Sequence, residues 1–320
     1  MGLKLDESGG FIGASRFPIS LANGNESLLV AVHDNVDRIR EILIRNGALL
    51  LRGFEVTRNS FGEVVDLLCG ARLEYVYRST PRTSVADRIF TATNYPPDRE
   101  IPLHCEEAYQ RNWPMLLAFY CEQPATEGGE TPLADIVKVT ASIDPELVGK
   151  FRQRGVCYIR NYIDGIDLPW TDVFQTRNRA EVERFCAKHE IRFDWGQDDS
   201  LHTTQICQGT AVHPDSGDEL WFNQAHLFHA SSLGVGVAQD MIEAFGVDGL
   251  PRNAVYGDGA EIADEELATI RTAFKQESVT FRWQKDDVLL LDNMQVAHGR
   301  HRFSGQRSVL VAMGRPRFPE

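Results

Sequence analysis

The stretch Ile101-Pro102-Leu103-His104-Cys105-Glu106-Glu107 decides how the rest of the chain is read. In an extended strand successive side chains point to opposite faces, so His104 and Glu106 project to one side while Cys105 turns away. An imidazole and a carboxylate so placed can grip one metal ion. Two protein ligands make a poor site, so a third has to come from elsewhere. The best candidate is His298, in Leu289-Leu290-Leu291-Asp292-Asn293-Met294-Gln295-Val296-Ala297-His298-Gly299-Arg300. Two histidines and one carboxylate occupy one face of a divalent ion and leave its other positions open. Taken alone, His-x-Glu is a common tripeptide of solvated strands and loops, and its weight depends on its surroundings.

Bulk properties narrow the classes. A chain of 320 residues with 42% hydrophobic and 25% charged content is that of a globular protein with a sizeable core. A net charge of −13 argues against a nucleic-acid phosphate surface and gives no support for an anionic membrane. The six cysteines (69, 105, 121, 157, 186 and 207) contain no CxxC pair and read as reduced, mostly buried thiols. The opening residues carry no apolar signal segment, and no run approaches the ~18 apolar residues of a membrane span. These features predict a cytoplasmic protein that binds neither nucleic acid nor membrane.

Along the chain, helix and strand signals alternate. Residues 34–46 carry helical spacing and end at Asn46-Gly47, and a second amphipathic helix runs from Asn59 to about Leu68. Strands are predicted at 48–54, 74–77, 88–93, 115–121, 155–162, 205–212, 220–222, 279–283, 287–291 and 308–313, with a short helix opening at Pro145. Residues 178–189 and 260–274 have helical period, the latter acidic on one side. No repeat or long linker divides the chain, which predicts a single domain over 1–320 with helical insertions at roughly 163–200 and 240–275. Many short strands with peripheral helices suggest an α+β fold: a sheet closed on itself, or a two-sheet jelly roll, flanked by helices.

The ordered set His104-x-Glu106, Gly128-Gly129-Glu130-Thr131-Pro132, Trp283 with Asp287-Val288-Leu289-Leu290-Leu291-Asp292-Asn293, and His298-Gly299-Arg300 with Phe303-x-Gly305-x-Arg307 resembles the TauD/TfdA superfamily of Fe(II)- and 2-oxoglutarate-dependent dioxygenases. Within it the chain is most similar to the syringomycin-biosynthesis (SyrP-like) branch, and the likeness runs over nearly the whole length. The resemblance implies a double-stranded β-helix (jelly-roll) core, Fe(II) held by His104, Glu106 and His298, and dioxygen and 2-oxoglutarate as co-substrates. It also implies that Arg307 pairs with the distal carboxylate of 2-oxoglutarate and that Thr131 hydrogen-bonds the same group. A guanidinium fork suits a carboxylate, in agreement with that role; a rim salt bridge is the other reading of Arg307. Where relatives have Trp-x-x-Gly-Asp, this chain has Trp283-Gln284-Lys285-Asp286-Asp287, and Asp tolerates the left-handed turn. Halogenating relatives replace the carboxylate ligand by a small residue; Glu106 favours oxygen transfer or desaturation.

The substrate is less legible. Arg78 and Arg82, in the loop Arg78-Ser79-Thr80-Pro81-Arg82, fit either a solvated turn or a contact with a substrate carboxylate or a carrier's phosphate. Asn223, Gln224 and His226, directly after a strand, fit either a polar wall against an amino acid or a capped strand end. Asp258, in Tyr256-Gly257-Asp258-Gly259, suits a tight turn or a substrate amine. Three function classes follow. The first is an Fe(II)/2-oxoglutarate oxygenase hydroxylating or desaturating an amino acid, free or tethered to a peptidyl carrier protein, in antibiotic-type biosynthesis, with a catabolic enzyme of a small sulfonate or carboxylate as its variant. The second is a zinc hydrolase, which two His and a Glu also suit. The third is a non-catalytic metal-binding jelly roll, which would not need Thr131 and Arg307.

Overall fold

The computed structural model describes residues 19–22, 27–77, 79–92 and 95–317. Two sheets face one another. The larger has seven strands in the order Ile19–Ala22, Ala48–Arg52, Val288–Asp292, Trp113–Gln123, Ser308–Arg317, Ile89–Thr91 and Ser84–Ala86, antiparallel except for the first pair. The smaller has four antiparallel strands, Ser278–Phe281, Thr131–Asp135, Val296–Arg300 and Ile101–His104. This is the jelly-roll core expected.

The apolar runs of the larger sheet are continuous because both its faces are covered. Leu50, Leu117, Phe119, Leu289, Val309 and Val311 point inward, where they meet Leu133, Phe281 and Val296 of the smaller sheet. Their neighbours Leu49, Leu51, Leu116, Ala118, Leu290 and Leu310 point outward, against the helices Leu28–His33, Val36–Asn46 and Arg58–Cys69. Full burial of one such side chain is worth about 1.5–3 kcal/mol, so the alternation sets the register firmly. Gly47 ends the second of these helices at φ 72°, and a Thr57–Ser60 capping box starts the third.

Beyond the smaller sheet lies a second, four-stranded sheet of Arg192–Trp195, Leu201–Cys207, Val156–Asn161 and Arg252–Tyr256. Its inner face shares a core with Cys105, Ala134 and Ala297, and the helices Pro145–Arg154, Arg179–Lys188 and Asp264–Gln276 pack around it. The stretch 163–200 therefore holds a strand as well as helices.

Some boundaries differ from expectation. The helix predicted from Asp34 starts at Val36, because Asp34 closes the preceding helix. The helix predicted from Ala260 starts at Asp264, with the Glu266 side chain accepting from the Ala263 backbone. Residues 74–77 form no strand, and Tyr77 takes φ 57°. The strand predicted over 205–212 breaks where Gly209 lies against the Phe151 carbonyl. Asp286 adopts φ 67°, the left-handed turn expected of it. No helix of the described residues is long and apolar enough to cross a membrane.

Candidate metal centre

His298 and His104 are directly paired across the ladder between Val296–Arg300 and Ile101–His104. Their rings stand 4.5 Å apart, and Glu106 Oε2 lies 3.9 Å from His104 Nε2 and 3.7 Å from His298 Nε2. One ligand atom from each residue fits within 4.8 Å of the others, the only such group of three among the described residues. Gly299 permits the close strand approach, since a Cβ there would stand 2.6 Å from the Ile101 carbonyl oxygen.

The route by which Glu106 reaches the histidines differs from the simple strand reading. The strand ends at His104, and Glu106 sits in the following turn, where Glu107 takes φ 56°. Side chains from elsewhere hold that turn. The Asn293 amide accepts the Glu106 N–H at 2.7 Å and donates to the Glu106 carbonyl at 2.9 Å and to that of Pro114 at 2.8 Å. Gln224 donates to the Cys105 carbonyl at 2.6 Å, and His226 Nε2 to that of Leu103 at 3.0 Å. Asn293 itself rides on a turn fixed by buried Asp292, which accepts from His213 Nε2 at 2.9 Å and from the Met294 backbone at 3.0 Å.

The electrostatics suit a metal. Burial holds the His298 imidazole well below its usual pKa, helped by His104 and Arg82. Burial also lowers that of His104 against the opposing pull of Glu106. Both rings are therefore neutral at neutral pH, as metal ligands must be. His104 Nδ1 donates to the Pro102 carbonyl at 2.8 Å, leaving Nε2 bare beside Glu106. Two neutral nitrogens and a carboxylate oxygen are the donor set of a non-haem Fe(II) site.

The cavity at the triad is a slot of about 30 Å³ lined by Arg82, Phe119, Thr131, Arg300 and Arg307 among others. An occupant of several carbons has to spread these side chains. Arg307 Nε donates to the Gly129 carbonyl at 3.1 Å, and Gly129, at φ 72°, has no Cβ to crowd the guanidinium. Partial burial and the neighbouring Arg300 push the Arg307 pKa down to about 10, leaving a half-buried cation suited to an anion. Trp283 Nε1 donates to Thr131 Oγ1 at 3.0 Å, so the Thr131 hydroxyl proton is free to point elsewhere. Arg300 spends Nη1 and Nη2 on the Tyr95, Pro96 and Arg99 carbonyls, while its Nε is buried without a partner among the described residues.

The remaining candidates fall differently. Arg78 lies outside the described residues. Arg82 is no solvated turn residue: its side chain is 3% exposed, and Nη2 donates to Glu106 Oε2 at 2.8 Å. Asn223, Gln224 and His226 do not line the slot; Asn223 donates to the Gly209 carbonyl, and all three brace backbone. Asp258 is 54% exposed and paired with Arg154 at 2.7 Å. It borders a separate cleft of about 1970 Å³, against the outer face of the second sheet, that contains none of the triad. That cleft is larger, but His104 and His298 meet at the slot. The structural parts of Asn293, Trp283 and Asp292 were not read from the sequence, although all three stand inside the quoted motifs.

The family profile described as "Taurine catabolism dioxygenase TauD, TfdA family" matches residues 12–313. The chain is 44% identical over 282 residues to the dapdiamide synthesis protein DdaC of Enterobacter agglomerans, covering 88% of this chain and 86% of that one. It is 31% identical over 284 residues to a clavaminate synthase-like protein of Arabidopsis thaliana, covering 85% and 82%. Among solved structures, PvcB of Pseudomonas aeruginosa, an Fe, alpha-ketoglutarate-dependent oxygenase from an isonitrile synthetic pathway, matches with a TM-score of 0.52 at 15% identity over 92% of this chain and 84% of that one. With a jelly-roll core around a His-Glu-His cluster and a family match over most of its length, the chain belongs to the TauD/TfdA family and is an Fe(II)- and 2-oxoglutarate-dependent dioxygenase.

Proposed function

We propose that this dioxygenase hydroxylates or desaturates an unactivated C–H of an amino acid, or of an aminoacyl group tethered to a peptidyl carrier protein, in the making of a specialised metabolite. The observation that carries this is the likeness to a dapdiamide synthesis protein over 88% of the chain. In this reading His104, Glu106 and His298 hold Fe(II), and Arg307 and Thr131 hold the distal carboxylate of 2-oxoglutarate.

Bound Fe(II), with 2-oxoglutarate and dioxygen, supplies the oxidant that removes hydrogen from carbon, and 2-oxoglutarate leaves as succinate and carbon dioxide. The chain's own residues orient and enclose. Glu106 would give the metal the carboxylate that a halogenating relative lacks. Arg307, already short of water, gains most from a carboxylate, and Thr131, accepting from Trp283, is left to donate to the same group. Phe119 packs against His298 at 5.1 Å and keeps that side dry.

The test is succinate release that requires both Fe(II) and 2-oxoglutarate, measured with free amino acids and with a loaded carrier protein. Stimulation by either supports the reading and tells the two forms apart. Stimulation only by a sulfonate, a betaine or an aryloxyacetate would place the enzyme with catabolic members of the family.

A further inference from the structure

Arg82 holds a position that the metal site does not explain. Its guanidinium is buried, rests over the Tyr75 ring at 4.5 Å, and lines the same slot as His104, His298 and Thr131. Only Nη2 is committed, to Glu106 Oε2; Nε and Nη1 are buried and have no hydrogen-bond partner. Buried donors in native proteins are nearly always satisfied, so two uncommitted N–H groups on one cation call for an acceptor. Arg307 also lines the slot, with the Gly129 carbonyl beside it, and Thr131 borders the same space. Arg82 and Arg307 thus both line the slot as cations.

Charge points the same way. Glu106 carries one negative charge, and both the metal and Arg82 claim it. With a divalent ion in place, the Arg82 end is left with net positive charge. Nε–H and Nη1–H point to different sides of the guanidinium, so each suits a single acceptor oxygen, an acyl carbonyl or one oxygen of a carboxylate, better than it suits an amine.

We propose that Arg82 is the anchor for the primary substrate, binding a carboxylate or acyl carbonyl oxygen next to the carbon that is oxidised. This rests on the oxygenase reading above and deepens it: the substrate carries an acyl oxygen one or two bonds from the reacting C–H. A free amino acid supplies it as the α-carboxylate, a carrier-tethered one as the thioester carbonyl.

The experiment uses the full chain loaded with Mn(II) and N-oxalylglycine, which occupies the 2-oxoglutarate end. Acetate is the probe, and relaxation of its methyl protons by Mn(II) reports binding beside the metal. The unsubstituted protein should enhance relaxation strongly. Arg82→Gln should abolish the enhancement while retaining Mn(II) and N-oxalylglycine. Arg82→Lys, which keeps the charge but loses the Nε–H and Nη1–H donors, should bind acetate about tenfold more weakly, and serves alone should Arg82→Gln not fold. Equal enhancement in the unsubstituted protein and the variants, or none in the unsubstituted protein, overturns the proposal. So does loss of Mn(II) from both variants, which would make Arg82 a positioning residue for Glu106. Failure of the unsubstituted protein to hold Mn(II) and N-oxalylglycine withdraws the oxygenase reading beneath it. A second arm, succinate release with the common L-amino acids and with their pantetheine thioesters, separates the two sources; KM should rise about a hundredfold in Arg82→Gln for whichever class is turned over, and an unchanged KM overturns the anchor.

Discussion

Asn293 clasps Glu106 at two points, taking its N–H on the amide oxygen at 2.7 Å and its carbonyl on the amide nitrogen at 2.9 Å. The clasp does for a turn residue what the sheet ladder does for His104 and His298. Replacing Asn293 by Ala strands three buried backbone groups, each costing about 1–3 kcal/mol. The expected result is a lower urea midpoint and Mn(II) affinity weakened by about 10–100-fold, the usual cost of losing an outer-shell support. Asn293→Asp keeps the acceptor and loses the donor, so its Mn(II) affinity should fall between the two. An Ala variant that binds Mn(II) normally would show that the turn holds itself.

Single replacements His104→Ala, Glu106→Ala and His298→Ala should each remove most metal binding and all succinate release. Circular dichroism should stay native, because the core of this chain is built without the ion. Near-normal turnover in any of the three would remove that residue from the site.

Arg307→Ala should weaken 2-oxoglutarate binding by about 2–5 kcal/mol and affect the primary substrate far less. Thr131→Ala should weaken it by about 0.5–3 kcal/mol. Trp283→Phe removes the indole donor that occupies the Thr131 oxygen, so its effect should match Thr131→Ala in direction and be smaller. Calorimetric titration with N-oxalylglycine reads all three. Equal losses for both substrates would make Arg307 a scaffold residue.

Burial pushes the His226 pKa down to about 4, against an ordinary value of 6.5. The unfolded chain therefore takes up this proton first as pH falls. The stability contributed by the neutral ring is intact above about pH 6.5 and lost progressively down to about pH 4, where the folded protein is protonated too. Between pH 8 and pH 5 this amounts to about 2 kcal/mol. Urea unfolding at the two pH values should show that loss, and His226→Gln should show about that much less. A variant with the same pH dependence would acquit His226.

What the residues alone disclosed followed from how local each signal was. The run Leu49-Leu50-Leu51 announces a strand buried on both faces, and the chemistry at 104, 106 and 298 follows from residue types that bind metal. Arg82 and the set Asn223, Gln224 and His226 were harder. A polar side chain after a strand looks the same whether it faces a ligand or a neighbouring carbonyl, and only the three-dimensional path of residues 103–106 shows that Gln224 and His226 hold backbone. Arg82 stands in a polar, proline-containing loop that composition assigns to the surface, yet the fold turns its side chain inward. The helical insertion expected from roughly 240 begins earlier, with the helix Val235–Phe245.

The rung that joins His104 to His298 has an evolutionary consequence. Because neighbouring residues of a strand face opposite ways, adding or deleting one residue between 101 and 104, or between 296 and 300, would turn an imidazole into the core and abolish the centre at a stroke. In the four-stranded sheet beyond that rung and its helices, residues that touch neither the 103–106 backbone nor the core shared with Cys105 and Ala297 can change without moving either ring. A lineage built on this frame can therefore exchange substrates by remodelling its periphery while the spacing of its metal ligands is inherited unchanged.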